Sequence, residues 1–105
     1  MPEHVLNVPY ARSFLQRTVG LIGRTELGST DGLWFDRCSS IHTLFMRTPI
    51  DVVFIDRNNR VLQVSPNVQP WRLYVGCRGA SSIVELAPGS IERLRISVGD
   101  MVNPA

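Results

Sequence analysis

The residues best suited to chemistry lie in one apolar stretch of the sequence, residues 41–56. Here His42, Arg47 and Asp51 interrupt a run that is otherwise rich in Ile, Val, Leu, Phe and Met. A small domain must bury such a run to form its core, and a buried charge is rarely kept unless it is paired. The polar residues of this stretch are therefore either paired within the fold or used for binding or catalysis.

Strand periodicity predicts the surroundings of His42. Residues 41–47 are predicted to form a strand, and alternation then places His42 on one face together with Leu44 and Met46. These neighbours favour a half-buried imidazole with one ring nitrogen hydrogen-bonded to the backbone. The alternative is a titrating group on the wall of a pocket, since histidine changes charge near neutrality.

Arg47 and Asp51 flank Pro49, which we predict to be a break or bulge between two strands. We weigh two roles for Asp51. One is an ion pair with Arg47 or with Arg24 that locks this break, and the other is to accept hydrogen bonds from the backbone amides of the break. Both roles are structural, and we favour them over catalysis.

Two residues outside the central stretch stand out, Glu85 and Trp71. Glu85 shares one face of a predicted strand with Ile83 and Ala87, and burial there would raise the pKa of its carboxyl group, as in acid–base catalysts. An ion pair with an arginine, or exposure at a sheet edge, is the favoured alternative. Trp71 lies between Pro70 and Arg72 in a predicted loop. Such a ring suits stacking on a sugar or a base, although it more commonly covers the end of a small barrel.

The overall composition is that of one small globular domain. The chain has 105 residues and a net charge of +2, too small a charge to argue for nucleic acid. All 11 positive residues are arginine, which we attribute to coding bias rather than to anion binding. No apolar window reaches the roughly 18 residues of a membrane span. The first residues lack a basic region followed by an apolar core, so we expect no signal peptide and a cytoplasmic location.

The two cysteines, Cys38 and Cys77, form neither a CxxC pair nor a zinc pattern. We expect two buried thiols in a reducing compartment. Cys38 and Asp51 are the nearest candidate co-ligands of His42, but their spacing fits no zinc site. Residues 76–79 have neither the P-loop nor the dinucleotide spacing. We therefore predict neither a metal nor a cofactor.

Short strands separated by turns dominate the predicted secondary structure. A Ser-x-x-Gln capping box predicts an N-terminal helix over residues 13–22, and Ser90 is predicted to cap a short helical turn. The strongest hairpin prediction covers residues 51–64, with Asn58 and Asn59 in its turn. Further strands are predicted at residues 4–10, 32–35, 41–47, 72–75 and 82–86, and after a turn that starts at 98. This pattern predicts an α+β fold, a single β-rich domain with a mainly antiparallel sheet or partly open barrel.

Three blocks of residues resemble a known family. They are Arg17, Gly20, Leu21, Gly23, Arg24, Gly32, Leu33 and Phe35; His42, residues 45–47 and 49–54, and Asp56; and Glu85, Gly89, Gly99 and Asp100. Over almost its whole length the chain resembles the uncharacterised family called domain of unknown function 192, or DUF192. The resemblance implies a small β-rich α+β domain found in bacteria and archaea. It implies no activity and no catalytic residue.

The leading functional prediction is a non-enzymatic module that binds a small molecule, an anionic ligand or a partner. Its predicted contacts are His42, Arg47, Asp51, Glu85, Arg24 and Trp71. The alternative is a small hydrolase or lyase that uses His42 with Asp51 or Glu85 as an acid–base pair, which requires these groups to converge. A third alternative is an assembly module whose strand edge near residues 5–10 pairs with another chain.

Overall fold

The chain folds around a sheet of four antiparallel strands. The computed structural model describes residues 2–10 and 32–105. The elements are β1 (Glu3–Leu6), β2 (Gly32–Asp36), β3 (Ser40–Ile41), β4 (Ile50–Ile55), β5 (Val61–Val68), β6 (Val75–Gly76), β7 (Ser82–Leu86), α1 (Ser90–Leu94) and β8 (Met101–Pro104). The main sheet has the order β2-β7-β4-β5. Every residue of the two inner strands, β4 and β7, is buried, because both faces of the sheet are covered.

Alternation along the strands divides the core into two apolar clusters, one on each face of the main sheet. The first cluster contains Leu33, Phe35, Met46, Ile50, Val52, Phe54, Val68, Val75 and Ile83. The second contains Leu6, Trp34, Val53, Ile55, Val61, Val84, Leu86, Ile91, Ile96 and Val102. The second face is therefore covered by β1, α1 and β8. The first is covered by the short antiparallel β3–β6 ladder and the segments next to it.

The β3–β6 ladder also brings two loops together. Loop 42–48 follows β3, and loop 69–74 precedes β6. Because the two strands are antiparallel, with Ile41 opposite Val75, the end of β3 lies beside the start of β6. Both loops consequently leave the ladder from the same end.

The hairpin predicted for residues 51–64 is confirmed, since β4 and β5 pair in antiparallel register. In its turn, Asp56 Oδ1 accepts hydrogen bonds from the amides of Asn58 and Arg60 at 2.7 and 3.0 Å. Asn59 adopts the left-handed conformation with φ 64°, which asparagine tolerates better than most residues. The turn prediction therefore identified the residue type that the backbone requires.

Strand β5 runs further than predicted. Pro66 favours an end of the strand at residue 64, the last residue of the predicted hairpin, yet β5 continues to Val68. Proline is tolerated because β5 is the edge strand of the sheet. Ile50 pairs with Val68 and Val52 pairs with Ser65, so β5 carries one residue more than β4 between these pairs. This extra residue is a β-bulge, which bends the strand on its way to loop 69–74.

The strand predicted over residues 41–47 is wrong. Strand β3 ends at Ile41, and loop 42–48 follows. Phe45 has φ 66°, a left-handed conformation that lies outside regular β-strand geometry. Thr43 is buried while His42 and Phe45 are exposed. The alternation of buried and exposed residues in this segment comes from turns and not from a pleat.

Two further local predictions are wrong. The strand predicted over residues 72–75 is reduced to the two residues of β6. Ser90 is the first residue of α1 and does not cap it. The N-cap residue is Gly89, whose φ of 89° is favourable for glycine. Because glycine has no side chain, it cannot accept a hydrogen bond from the first amides of α1.

The described elements confirm a small β-rich domain with mainly antiparallel, open sheets and little helix. Strands β2 and β7 match the predictions for residues 32–35 and 82–86. The exception to the antiparallel pattern is β1, which pairs with β8 in parallel. The predicted helix over residues 13–22 lies outside the described residues. Among the described helices, none is long and apolar enough to cross a membrane.

A shielded ion pair ties the N-terminal strand to the turn before β8. His4 Nε2 lies 2.8 Å from Asp100 Oδ2, and both side chains are largely shielded from solvent. The same carboxylate oxygen accepts a hydrogen bond from the amide of Ser97 at 3.0 Å. The hydrogen bond from His4, and after it the one from Ser97, lowers the pKa of Asp100 below its ordinary value of 3.8.

We expect Asp100→Asn to lower the melting temperature at neutral pH by a few degrees, because the amide lacks the charge that His4 contacts. An acid whose pKa is lower in the folded state stabilises the protein above its unfolded pKa, and this stabilisation is lost as the pH falls through the folded pKa. The difference in Tm should therefore shrink below pH 3.8. Thermal unfolding followed by circular dichroism from neutral pH to about pH 2 measures it. A difference that does not change with pH would contradict the assignment.

Candidate functional site

One buried threonine, Thr43, holds loop 42–48 against loop 69–74. Its backbone amide donates to the carbonyl of Arg72 at 2.9 Å, and its carbonyl accepts from the amide of Trp71 at 2.8 Å. Its hydroxyl donates to the carbonyl of Gln69 and accepts from the amide of Arg72, both at 2.8 Å. The Thr43 side chain has no exposed surface. The backbones of both loops are therefore fixed relative to each other.

The two loops present an aromatic pair to solvent, Phe45 and Trp71, which we call the aromatic platform. The ring centroids are 5.0 Å apart in an edge-to-face arrangement. Each residue is 60% exposed. Both have left-handed backbones, with φ 66° for Phe45 and 69° for Trp71. Because such a conformation costs a bulky residue about 1–3 kcal/mol, the surrounding contacts must hold it in place.

Local contacts on either side of Phe45 explain how loop 42–48 keeps this conformation. The amide of Met46 donates to the carbonyl of Thr43 at 3.2 Å, which closes a tight turn around Phe45. The side chain of Met46 is buried in the first core cluster. The loop is thus anchored by Thr43 before Phe45 and by Met46 after it, and the Phe45 ring remains outside.

His42 and Arg47 are both exposed in loop 42–48. His42 Nδ1 accepts a hydrogen bond from the amide of Leu44 at 3.2 Å. The predicted bond to the backbone is therefore present, but the predicted half-burial on a strand is wrong. Within residues 2–10 and 32–105 no ion pair joins Arg47 to Asp51, whose two oxygens accept backbone amides instead, so the predicted pairing of Arg47 with Asp51 is wrong. Arg24 lies outside the described residues.

Asp51 is buried and uses both carboxylate oxygens to accept backbone hydrogen bonds. Oδ1 accepts from the amide of Asn67 at 2.9 Å, in the bulge of β5. Oδ2 accepts from the amide of Ile91 at 2.9 Å, in the first turn of α1. Asp51 therefore provides the cap that Gly89 cannot provide. The role predicted for Asp51, as an acceptor of backbone amides, is present, but the amides belong to β5 and α1 and not to the break at Pro49.

Glu85 is buried on the inner strand β7. Its cross-strand neighbours are Leu33 on β2 and Val52 on β4, both apolar members of the first cluster. Within the described residues its carboxyl group has no hydrogen-bond or ion-pair partner, and desolvation by burial raises its pKa from 4.5 to about 8. The predicted alternatives, an ion pair with an arginine or exposure on an edge strand, are therefore wrong for the described part of the chain.

The two carboxylates do not converge. Asp51 lies opposite Leu86 and Val52 lies opposite Glu85, so Asp51 and Glu85 point to opposite faces of the main sheet. A single pocket cannot contain both of them. The described residues hold no group of three or more His, Cys, Asp or Glu side chains suited to a metal ion. Cys38 and Cys77 are free and half-buried.

Sequence reasoning identified Trp71 but missed Thr43 and Phe45. Both residues lie within the strand predicted over residues 41–47, and no local sequence pattern indicates the role that either of them has in the site. Thr43 is recognised by partners 26 and 29 residues away in the sequence. Phe45 is exposed only because the backbone turns at that position.

The sequence matches the family DUF192, described as "Uncharacterized ACR", over residues 1–104. The chain belongs to the DUF192 family. The UPF0127 protein of Pyrococcus furiosus is 39% identical over 98 residues, which are 90% of this chain and 84% of that protein. The UPF0127 protein of Pyrococcus horikoshii is 36% identical over the same shares of both chains.

A crystal structure of a protein of unknown function from Novosphingobium aromaticivorans is similar to this DUF192 protein. Its TM-score is 0.77 and its sequence identity 26%, with 88% of this chain and 70% of that chain covered. The predicted resemblance is thus confirmed, and the family and relatives named above indicate no specific function. A functional assignment has to come from the residues of the site.

We expect Asp51→Ala to destabilise this DUF192 protein by about 2–6 kcal/mol, because it leaves the buried amide of Ile91 and the part-buried amide of Asn67 without their acceptor, at about 1–3 kcal/mol each. Asp51→Asn keeps one acceptor oxygen and should cost less. Urea unfolding gives both values. The matched control is Glu92→Ala, which removes an exposed acid from the first turn of α1. If Asp51→Ala is no more damaging than this control, Asp51 does not hold the bulge and the helix start.

Glu85→Gln should remove a pH dependence of stability. An acid whose pKa is raised from 4.5 to about 8 costs nothing below pH 4.5 and destabilises the fold increasingly as the pH rises toward 8. At about 1.4 kcal/mol per pKa unit, the variant should gain on the order of 4 kcal/mol over the wild type between these limits. Urea unfolding near pH 5 and pH 8 measures the gain. The exposed Glu92→Gln is the control, and equal pH profiles for all three proteins would show that Glu85 is ionised in the fold.

Proposed function

We propose that this DUF192 protein is a non-enzymatic binding module whose ligand is a small molecule that lays a ring against the aromatic platform. One observation carries the proposal: Phe45 and Trp71 are held in edge-to-face contact, exposed, and both in left-handed backbone conformations. Strained residues of this kind cluster at ligand-binding sites, where the strain serves to preorganise a surface.

The energetics of the platform favour a binding role over a purely structural one. Leaving a large aromatic ring mostly exposed forfeits part of the roughly 1.5–3 kcal/mol that its burial would contribute. Glycine would remove the strain at either position. Instead, two of the eight aromatic residues of the chain occupy these two strained positions. The platform thus lowers stability in two ways, through exposed aromatic surface and through backbone strain. Binding of a ligand to the two rings would explain why both costs are present.

The chemistry of the platform defines the ligand class. Aromatic faces bind flat rings and the C–H faces of sugars, and an arginine or histidine at the edge adds a polar contact. His42 and Arg47 are exposed on the same loop as Phe45. We therefore keep Trp71, His42 and Arg47 as proposed ligand contacts, and Arg24 as a proposed one from outside the described residues. Asp51 we assign to the support of the fold. Glu85 is buried among apolar neighbours, and we do not keep it as a ligand contact.

The geometry favours binding over the acid–base alternative. Both oxygens of Asp51 are occupied by backbone amides. Glu85 is buried on the other face of the sheet from Asp51. His42 is exposed in a loop and bonded to the amide of Leu44. A hydrolase or lyase built on His42 with one of these carboxylates would need a different arrangement of all three. The assembly role at residues 5–10 and the cytoplasmic location stay predictions, the former tested by light scattering at high concentration.

We expect Trp71→Gly to abolish binding of ring compounds while changing the melting temperature by only a few degrees. Glycine relieves the strain at φ 69°, which offsets the lost contact with Phe45. Of the two tryptophans Trp34 is buried and Trp71 exposed, so quenching of intrinsic fluorescence reports mainly on the platform. The probes are glucose, ribose and N-acetylglucosamine with their phosphate esters, together with glucuronate.

The control for this experiment is Val98→Ala, which shortens an exposed apolar side chain in the turn between α1 and β8. It should bind as the wild type does. Saturable quenching that Trp71→Gly removes supports the platform as the binding surface. The proposal fails if no ring compound quenches the wild type saturably, or if Trp71→Gly binds as tightly as the wild type.

A further inference from the structure

A polar cleft opens beside loop 69–74. Its volume is about 370 Å³, within the range of small-molecule sites. It is lined by Gln63, Ser65, Pro66, Asn67, Val68, Gln69, Arg72, Tyr74, Val75 and Gly76. Gln69, Arg72 and Tyr74 belong to the same loop as Trp71. The aromatic platform and the cleft are thus built from one segment of chain.

We propose that this cleft is an anion subsite, and that the ligand of the platform is a sugar or similar polyhydroxylated ring that carries a phosphate or carboxylate group. This inference rests on the proposed function and adds the charge of the ligand to it. The first reason is composition: among the described residues that line the cleft, Arg72 is the charged one and none is a carboxylate. Its other polar side chains are amides and hydroxyls, which suit the hydroxyl groups of a sugar.

The second reason is that Arg72 has no acidic partner. Within residues 2–10 and 32–105 no carboxylate lies within salt-bridge distance of its guanidinium group. A guanidinium presents donors in a planar fork that matches phosphate and carboxylate groups in two-point contacts. A cation in a cleft without competing acids is available to an anionic ligand.

The third reason is that Arg72 is placed rigidly. Its amide donates to the Thr43 hydroxyl and its carbonyl accepts from the Thr43 amide, at 2.8 and 2.9 Å. Trp71, the neighbouring residue, is held by the carbonyl of the same threonine. Trp71 would therefore contact the ring of the ligand, and Arg72, the next residue, would contact its anionic group. Because the backbone of both residues is already ordered, the entropic cost of binding is lower.

Tyr74 completes one wall of the cleft, and Gly76 makes room for it. A Cβ atom added at Gly76 would lie 2.5 Å from the Tyr74 hydroxyl oxygen, so any side chain there would displace the ring. The phenol hydroxyl adds a further donor and acceptor to the cleft. The wall thus depends on the smallest residue at position 76.

The test compares matched neutral and anionic ligands by isothermal titration calorimetry. The pairs are glucose with glucose 6-phosphate and ribose with ribose 5-phosphate, with glucuronate as the carboxylate. The wild type should bind the anionic member of a pair at least about tenfold more tightly than the neutral member. Arg72→Gln should remove this preference and leave the neutral sugar unaffected. The matched control is Arg78→Gln, an exposed arginine outside the cleft, which should keep the preference.

Each outcome separates this inference from the proposed function. Equal affinity for both members of every pair, with loss of both in Trp71→Gly, would overturn the anion subsite and leave the platform intact. A preference for the anion that persists in Arg72→Gln would also overturn the subsite. Absence of binding to every ligand would overturn both. A preference for phosphate over glucuronate, lost in Arg72→Gln, supports the subsite with phosphate as its group, and the reverse order supports it with carboxylate.

Discussion

The contact on which the candidate site depends is the set of hydrogen bonds between Thr43 and residues 69–72. A threonine with no exposed surface gives its amide, carbonyl and hydroxyl to the facing loop. Each such bond has a net value of only about 1 kcal/mol, but a buried polar group left unpaired costs about 1–3 kcal/mol. The loops are therefore held together more by the cost of separating them than by the gain of each bond. That constraint allows Phe45 and Trp71 to keep backbone conformations that they would leave if the loops were independent.

Asp51 provides a second constraint, which acts on strand β5 before it enters loop 69–74. By accepting the amide of Asn67 it stabilises the bulge that turns β5 toward loop 69–74, and by accepting the amide of Ile91 it starts α1. Asn67 itself has φ 54°, so the bulge contains a left-handed residue whose amide Asp51 holds in place. A charged residue on a fully buried strand is acceptable because both oxygens are satisfied by backbone donors. The direction in which loop 69–74 leaves the sheet thus depends on one carboxylate.

The parts of the fold that sequence predicted well are those in which local pattern and tertiary structure agree. Strands β2 and β7 and the β4–β5 hairpin are marked by short apolar runs and, at Asn59, by a residue suited to a left-handed turn. The predictions were wrong where local propensity and tertiary contacts favour different structures. Residues 41–47 are rich in strand-forming residues, yet hydrogen bonds from Thr43 to a distant loop outweigh that propensity. The acceptor role of Asp51 could be predicted from its position beside Pro49, but its partners, 16 and 40 residues away, could not.

The distribution of charge in the described part of the fold supports the proposal of an anionic ligand over a cationic one. The buried acids, Asp51, Glu85 and Asp100, are all committed to the interior. Asp51 and Asp100 accept hydrogen bonds there, and burial keeps Glu85 protonated at neutral pH because its pKa is about 8. Arg47 and Arg72 are exposed in the two loops that form the site. None of these three buried acids lines the polar cleft, and among the described residues that do, the charged one is Arg72.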